Sequence, residues 1–396
     1  MTKISVRRAR WFSAACAAAA CAAFTAFPVT ASAATTPSFN LPSMNEAPMK
    51  AWPMIYGTEP TTERSPSARI FGIIQPGYSY DQVAGHSTVL FYRFRPGLRG
   101  KLTKNINYYF LPEFARNGAT LDYLTNPSGP SSKFFHGARL LDGSVTLNQI
   151  PEVHVQIGQM LVPFAWEGVV GAGGLPWINY TDGTVNIFYK EGLSDSTINA
   201  GREMGVMAFN QFVAGKRSWD YEAGWFNGNG LSQTAANRAR DFIGHLGGSY
   251  GPFGLAGGVW TGTETVAGTN LGRTKFALDA RYGNYLKDSF WIWGEYQHAD
   301  DEQAGAAPNL KAQSWFVSGG YRPVRWLEAV VRYSSYQPDT SVGNYVNMTS
   351  VVGTVFGSHH VRYLLEYDHR TFPGFGKRSD NRVNMEISVP FSISLM

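Results

Sequence analysis

From Ala68 onward, apolar and polar side chains alternate with a period of two over runs of 8–14 residues, and Gly, Pro, Asn and Asp separate the runs. In the run 273–284, Phe276, Leu278, Ala280 and Tyr282 share one parity, and Arg273, Lys275, Asp279 and Arg281 share the other. The run 381–393 sets Val383, Met385, Ile387, Val389 and Phe391 against Arg382, Asn384, Glu386 and Ser388. In 89–102 the even positions Leu90, Tyr92, Phe94, Pro96, Leu98 and Leu102 are greasy, whereas Arg93, Arg95, Arg99 and Lys101 are cationic. Neighbouring side chains in a strand point to opposite faces, so each run predicts a strand between an apolar and a polar medium. Sixteen strands are expected, at 68–79, 88–102, 104–115, 136–147, 152–161, 204–214, 219–226, 240–250, 254–264, 273–285, 289–299, 312–322, 326–336, 346–357, 359–371 and 382–393.

A soluble sandwich would also alternate, so the breaks decide the fold. Every second connection is tight: Thr103, 148–151, 215–218, 251–253, 286–288, 323–325 and Ser358. Those between are mostly longer, up to 162–203. Short turns on one rim and long loops on the other predict an all-β fold, a transmembrane antiparallel β-barrel of about sixteen strands. Closure leaves no backbone edge facing lipid, where each unpaired group would cost several kcal/mol. Aromatic residues near strand ends (Trp219, Tyr221, Trp225, Phe226, Trp291, Trp293, Tyr296, Trp315, Trp326) are expected to form interfacial girdles.

Composition agrees with this and refines it. Charged residues make up only 16% of the 396, against about 25% in soluble domains. Residues 1–33 read as an export signal. Lys3, Arg7, Arg8 and Arg10 precede an Ala-rich apolar stretch, and Ala31-Ser32-Ala33 matches a cleavage site. Both cysteines, Cys16 and Cys21, lie in it. Removing it takes four of the 34 bases and none of the 29 acids, so the net charge falls from +5 to +1. Residues 34–67, rich in Pro, Ser and Thr, are expected to be an irregular periplasmic segment ahead of a barrel at 68–396. No later run of about twenty apolar residues predicts a transmembrane helix.

Charge placement suggests what the interior does. On the polar faces of the five best-phased strands lie eleven bases, namely Arg93, Arg95, Arg99, Lys101, Arg273, Lys275, Arg281, Arg332, Arg362, Arg370 and Arg382. Five acids accompany them: Asp279, Glu328, Glu366, Asp368 and Glu386. The excess of six predicts a cationic, water-filled lumen that favours anions. The alternative is a mixed-charge network that only braces the wall.

Three segments carry a resemblance. Val155-Gln156-Ile157-Gly158-Gln159-Met160-Leu161-Val162-Pro163-Phe164, the stretch from Tyr221 to Gly230 (YEAGWFNGNG) and Arg95–Leu102 resemble, in this order of motifs, the phosphate-selective porin O and P family. The resemblance implies a sixteen-stranded trimeric porin of the bacterial outer membrane, in contact with its lipid and passing small hydrophilic or anionic solutes. It also implies that the loop after the fifth strand folds inward as a constriction. Here that loop is 162–203, with Glu167, Trp177, Tyr180 and Asp182 as its candidate residues. Residues 162–189 contain no Lys or Arg, so nothing in the loop itself would grip phosphate.

A surface hydrolase or adhesion barrel is the alternative function. Asp300-Asp301 and Asp368-His369 fall near long-loop ends, but activating a water needs both groups within hydrogen-bond reach of it. The pairs are four strands apart. His359 and His360 are neighbours in a strand and would point apart, which suits no shared metal. Gly171–Gly174 lacks the Lys-Ser/Thr of a phosphate loop. No catalytic, metal, cofactor or nucleic-acid site is expected.

Overall fold

The computed structural model describes residues 65–115, 138–150, 152–170, 173–190, 192–193, 200–233, 240–266, 269–285, 287–303, 307–376 and 379–395. Residues 1–33, expected to be an export signal, and nearly all of segment 34–67 lie outside these. The strands are β1 (Arg69–Asp81), β2 (His86–Thr103), β3 (Ile106–Glu113), β4 (Arg139–Ile150), β5 (Val153–Leu161), β6 (Arg202–Ala214), β7 (Arg217–Phe226) and β8 (Asp241–Tyr250). They continue as β9 (Phe253–Val266), β10 (Thr269–Tyr282), β11 (Phe290–Asp301), β12 (Leu310–Val324), β13 (Leu327–Gln337), β14 (Val346–Phe356), β15 (Arg362–Thr371) and β16 (Asp380–Ser394). Each pairs antiparallel with its sequence neighbours, and β1 closes the barrel on β16, from Arg69 opposite Ser394 to Asp81 opposite Arg382. All sixteen expected strands are present, in order.

The two rims differ as the sequence predicts. Five connections on one rim have two residues: 104–105, 151–152, 215–216, 251–252 and 325–326. Gly215 and Gly251 supply the positive φ (60° and 58°) that such hairpin turns require. Two connections there are longer than expected, 283–289 and 357–361, and one on the opposite rim, 267–268, is shorter.

The outer wall is greasy. Four strands carry aromatic residues six positions apart on the outward parity, at Trp219 and Trp225, Phe276 and Tyr282, Phe290 and Tyr296, and Trp315 and Tyr321. Six residues span roughly 20 Å along a strand. Small or aliphatic residues fill the interval, for example Leu278 and Ala280 or Val317 and Gly319. This is the two-girdle layout of a lipid-facing barrel.

Two expectations are corrected. Trp291 and Trp293 belong to no girdle; they share the parity of Glu295 and Gln297 and point inward, at 1% and 2% exposure. Phe226 is likewise buried. In β2 the greasy and polar faces exchange halfway along. Phe91 pairs with Pro76 and Arg93 with Gln75, so Tyr92 is the extra residue of a bulge. Leu90 and Tyr92 therefore face inward with Arg93, while Val89, Phe91 and Phe94 face outward.

Candidate functional site

The connection between β5 and β6 turns into the barrel. Its apolar run, with no base before Lys190, matches the wall it meets. Val162, Phe164, Trp166, Leu175 and Trp177 are at most 1% exposed, and among its described residues the segment forms a helical turn at Trp166–Val169 and a π-turn at Thr184–Phe188. Trp177 stacks on Trp293 with ring centroids 5.0 Å apart. Phe316 meets both edge-on, at 5.8 and 5.0 Å. Trp166 abuts Trp293 and Tyr285, and Phe164 packs between Phe188 and Trp260. Two glycines permit the contact. A Cβ on Gly258 of β9 would lie 2.0 Å from the Phe164 carbonyl, and one on Gly183 would lie 1.9 Å from Ser314 Oγ.

Glu167 ties this loop to itself and to the wall. Its carboxylate accepts hydrogen bonds from Thr181 N (3.1 Å), Thr181 Oγ1 (2.6 Å), Thr184 Oγ1 (2.5 Å), Trp177 Nε1 (3.0 Å) and Arg332 Nη1 (3.2 Å). Burial pushes the Glu167 carboxyl above its usual range, against the opposing pull of Arg332 and the Thr181 and Thr184 hydroxyls. Arg332, on β13, also donates to the Asn179 carbonyl (2.9 Å), Ser350 Oγ (3.2 Å) and Glu366 (3.3 Å), and its guanidinium lies 4.5 Å over the Trp177 ring. Glu366, on β15, accepts Ile178 N at 2.5 Å and Asn179 N at 3.3 Å. Arg332, Glu167 and Glu366 have no exposed side-chain surface.

The cations expected along the pore divide by what they touch. Lys275 donates to the Ile187 and Lys190 carbonyls at 2.9 and 2.7 Å. Arg362 donates to the Leu175 carbonyl at 2.8 Å and to that of Gly173. Arg370 pairs with Asp182 at 2.5 Å. With Arg332, these side chains hold the loop. Arg273 pairs with Asp241 (2.5 Å), and Arg382 with Asp81 and Asp380 (3.0 Å each). Arg281 lies 3.8 Å from Asp279 and over the Trp166 ring. On β2, Arg93 contacts Gln75 (3.1 Å) and Glu386 (3.6 Å), and lies 5.5 Å from the Tyr180 ring. Arg95 pairs with Glu113 at 2.6 Å, Arg99 covers Phe71, and Lys101 is buried. Glu167 and Asp182 are thus engaged by the β13 and β15 side of the wall, and the loop meets Arg93 through the Ile178 carbonyl, which accepts from Arg93 Nη2 at 3.5 Å, and through Tyr180, whose ring is edge-on to Tyr189 at 5.0 Å.

The charge excess read from five strands does not extend around the barrel. Glu113, Asp142, Glu203, Asp220, Glu222, Asp241, Glu295 and Asp301 are also buried on the strands. Their parity opposite the outward aromatics was the available signal: Asp220 and Glu222 alternate with Trp219, Tyr221 and Trp225. Missed bases include Arg202, which pairs with Asp142 at 3.4 Å. The acid pairs considered for catalysis separate. Asp300 pairs with the exposed Lys311, whereas Asp301 accepts Leu193 N. Asp368 bonds Ser350 inside the wall, while His369 meets Asn381.

No family model matches the chain, and no curated protein matches it. Solved structures do. The barrel is similar to the anion-selective porin from Comamonas acidovorans, at 16% identity and TM-score 0.59, covering 82% of this chain and 99% of that one. It is similar to the trimer form of OmpT, an outer membrane protein of Vibrio cholerae, at 12% identity and TM-score 0.56, covering 82% and 99%. Salmonella typhi OmpF matches at 10% identity and TM-score 0.55, covering 85% and 100%. At these identities the likeness establishes the fold: this chain has the sixteen-stranded barrel fold of outer-membrane porins.

Proposed function

We propose that this protein is a bacterial outer-membrane porin through which small hydrophilic solutes diffuse, with a preference for anions. The observation that carries the proposal is the 162–193 loop, anchored inside a closed sixteen-stranded barrel by Arg332, Lys275, Arg362 and Arg370. A barrel of this size is wide enough to hold a water column. A fixed inward loop sets its width without closing the wall. Selectivity then depends on the charges left along the path. Glu167 and Asp182 are engaged by Arg332 and Arg370 rather than by the β2 row of Arg93, Arg95, Arg99 and Lys101, and although Arg93 and Arg95 each contact a wall carboxylate, this row of four bases keeps a local cationic excess that favours anions. One structural relative is named for anion selectivity and another for a trimer form, and we assign this chain the same preference and a homotrimeric assembly.

Planar-bilayer recording tests the reading. Purified protein should give large, steady conductance steps, and the reversal potential under a KCl gradient should report chloride over potassium. Closed barrels without steps would favour the surface-hydrolase or adhesion reading, and a potassium preference would refute the anion assignment. Replacing Arg93, Arg95 and Arg99 together with Gln should lower the chloride preference, whereas Lys275→Gln should change step size more than selectivity.

A further inference from the structure

The described part of the connection between β7 and β8, residues 227–233, also enters the barrel, and no part of the proposed function requires it to. It begins in the Phe226-Asn227-Gly228-Asn229-Gly230 segment. Glu203, fully buried on β6, accepts hydrogen bonds from Gly228 N (3.2 Å) and Gly230 N (2.7 Å). Both glycines have positive φ, at 76° and 80°, which turns two amides, with one residue between them, toward one carboxylate. On the other side, Arg273 donates to the Gly228 carbonyl (2.9 Å) while paired to Asp241. A Cβ on Gly228 would lie 2.5 Å from Asp241 Oδ1.

Beyond this clamp the chain reaches back over β5 and β6 to β3 and β4. Leu231 packs against Tyr109, Leu111 and Leu141, inner-wall residues of β3 and β4. Ser232 donates to Gln159 Oε1 from its amide (2.7 Å) and its hydroxyl (3.0 Å). Gln159 Nε2 in turn donates to the Leu140 and Leu141 carbonyls at 2.7 and 2.8 Å. An apolar cluster on the inner wall of a water-filled barrel is costly unless covered, and Leu231 covers part of it.

We infer that residues 227–233 form a second constriction element, narrowing the β3–β6 sector while the 162–193 loop narrows the β9–β15 sector, with Glu203 as its positioning residue. This rests on the porin reading. The solute path is pressed from both sides toward β2, which restricts it to compact anions that fit beside the arginine row and excludes bulky neutral solutes of equal mass.

Two variants test it. Leu111→Cys with Leu231→Cys, treated with a short bis-maleimide, should give a cross-linked peptide by mass spectrometry and leave the conductance step unchanged. Absence of the cross-link in folded, heat-modifiable protein would overturn the inference. Glu203→Gln should raise the step severalfold, and neutral sugars that do not reduce the wild-type ion current should begin to reduce it. An unchanged step and an unchanged sugar cutoff in this variant would also overturn it. If wild-type protein gives no steps at all, the porin reading fails instead, and the cross-link still reports whether the loop lies inside.

Discussion

Replacing Arg332 by Met should release the inward loop without opening the barrel. The side chain makes four hydrogen bonds, to Glu167, Asn179, Ser350 and Glu366, and covers the Trp177 ring, with no exposed surface. Met keeps the length and removes every donor, leaving two carboxylates buried without their shared cation. Removing one partner of a buried ion pair costs about 3–5 kcal/mol. At about 1.4 kcal/mol per power of ten, that moves the docked-to-released equilibrium by roughly two to three and a half powers of ten. The barrel should tolerate the loss, because β13 keeps its ladder from Gln313 opposite Gln337 to Val324 opposite Leu327, and its other ladder to β14. Single-channel recording should therefore show a larger or noisier step in protein that still shifts mobility on heating. Adding Glu167→Gln should partly restore the wild-type trace by discharging one stranded carboxylate. A trace identical to wild type for Arg332→Met would refute the view that this arginine secures the loop.

Three more outcomes follow from the geometry. Gly258→Ala should disturb conductance in the same way, since its new methyl would meet the Phe164 carbonyl, whereas Gly353→Ala, with nothing within 4 Å, should not. Leu278→Arg, between the girdles and 54% exposed to the outside, should destabilise the barrel in lipid vesicles by about 2–4 kcal/mol, against about 0–1 for Phe253→Arg at the rim; equal costs in urea titration would argue against a membrane-spanning outer wall. Gly215→Val should slow or weaken β6–β7 hairpin formation, since a β-branched side chain resists the positive φ there; unchanged urea stability and refolding rate would count against that turn.

The sequence made the barrel legible because one physical constraint acts on every strand, lipid outside and polar groups inside. Period-two alternation therefore recorded all sixteen strands and most of their phases. It failed where the backbone departs from that period. The bulge at Tyr92 exchanges the faces of β2, and nothing in the run around it marks an extra residue except Pro76 on the partner strand. Trp291 and Trp293 misled for a different reason. Their type suits a girdle, but their parity with Glu295 and Gln297 places them inside, and parity is the stronger signal. The inward loop was expected from a resemblance, yet its anchoring was not legible. The Glu167–Arg332–Glu366 contacts join residues 165 and 34 positions apart, a separation at which no local pattern survives.

The tryptophans of the barrel fall into two optical populations. Trp166, Trp177, Trp260, Trp291 and Trp293 are sealed among other rings, whereas Trp219, Trp225 and Trp315 project from the outer face of their strands. Brominated acyl chains should quench the emission of the second group and spare the first, so one fluorescence spectrum can follow insertion and capture of the inner loop as separate events in time.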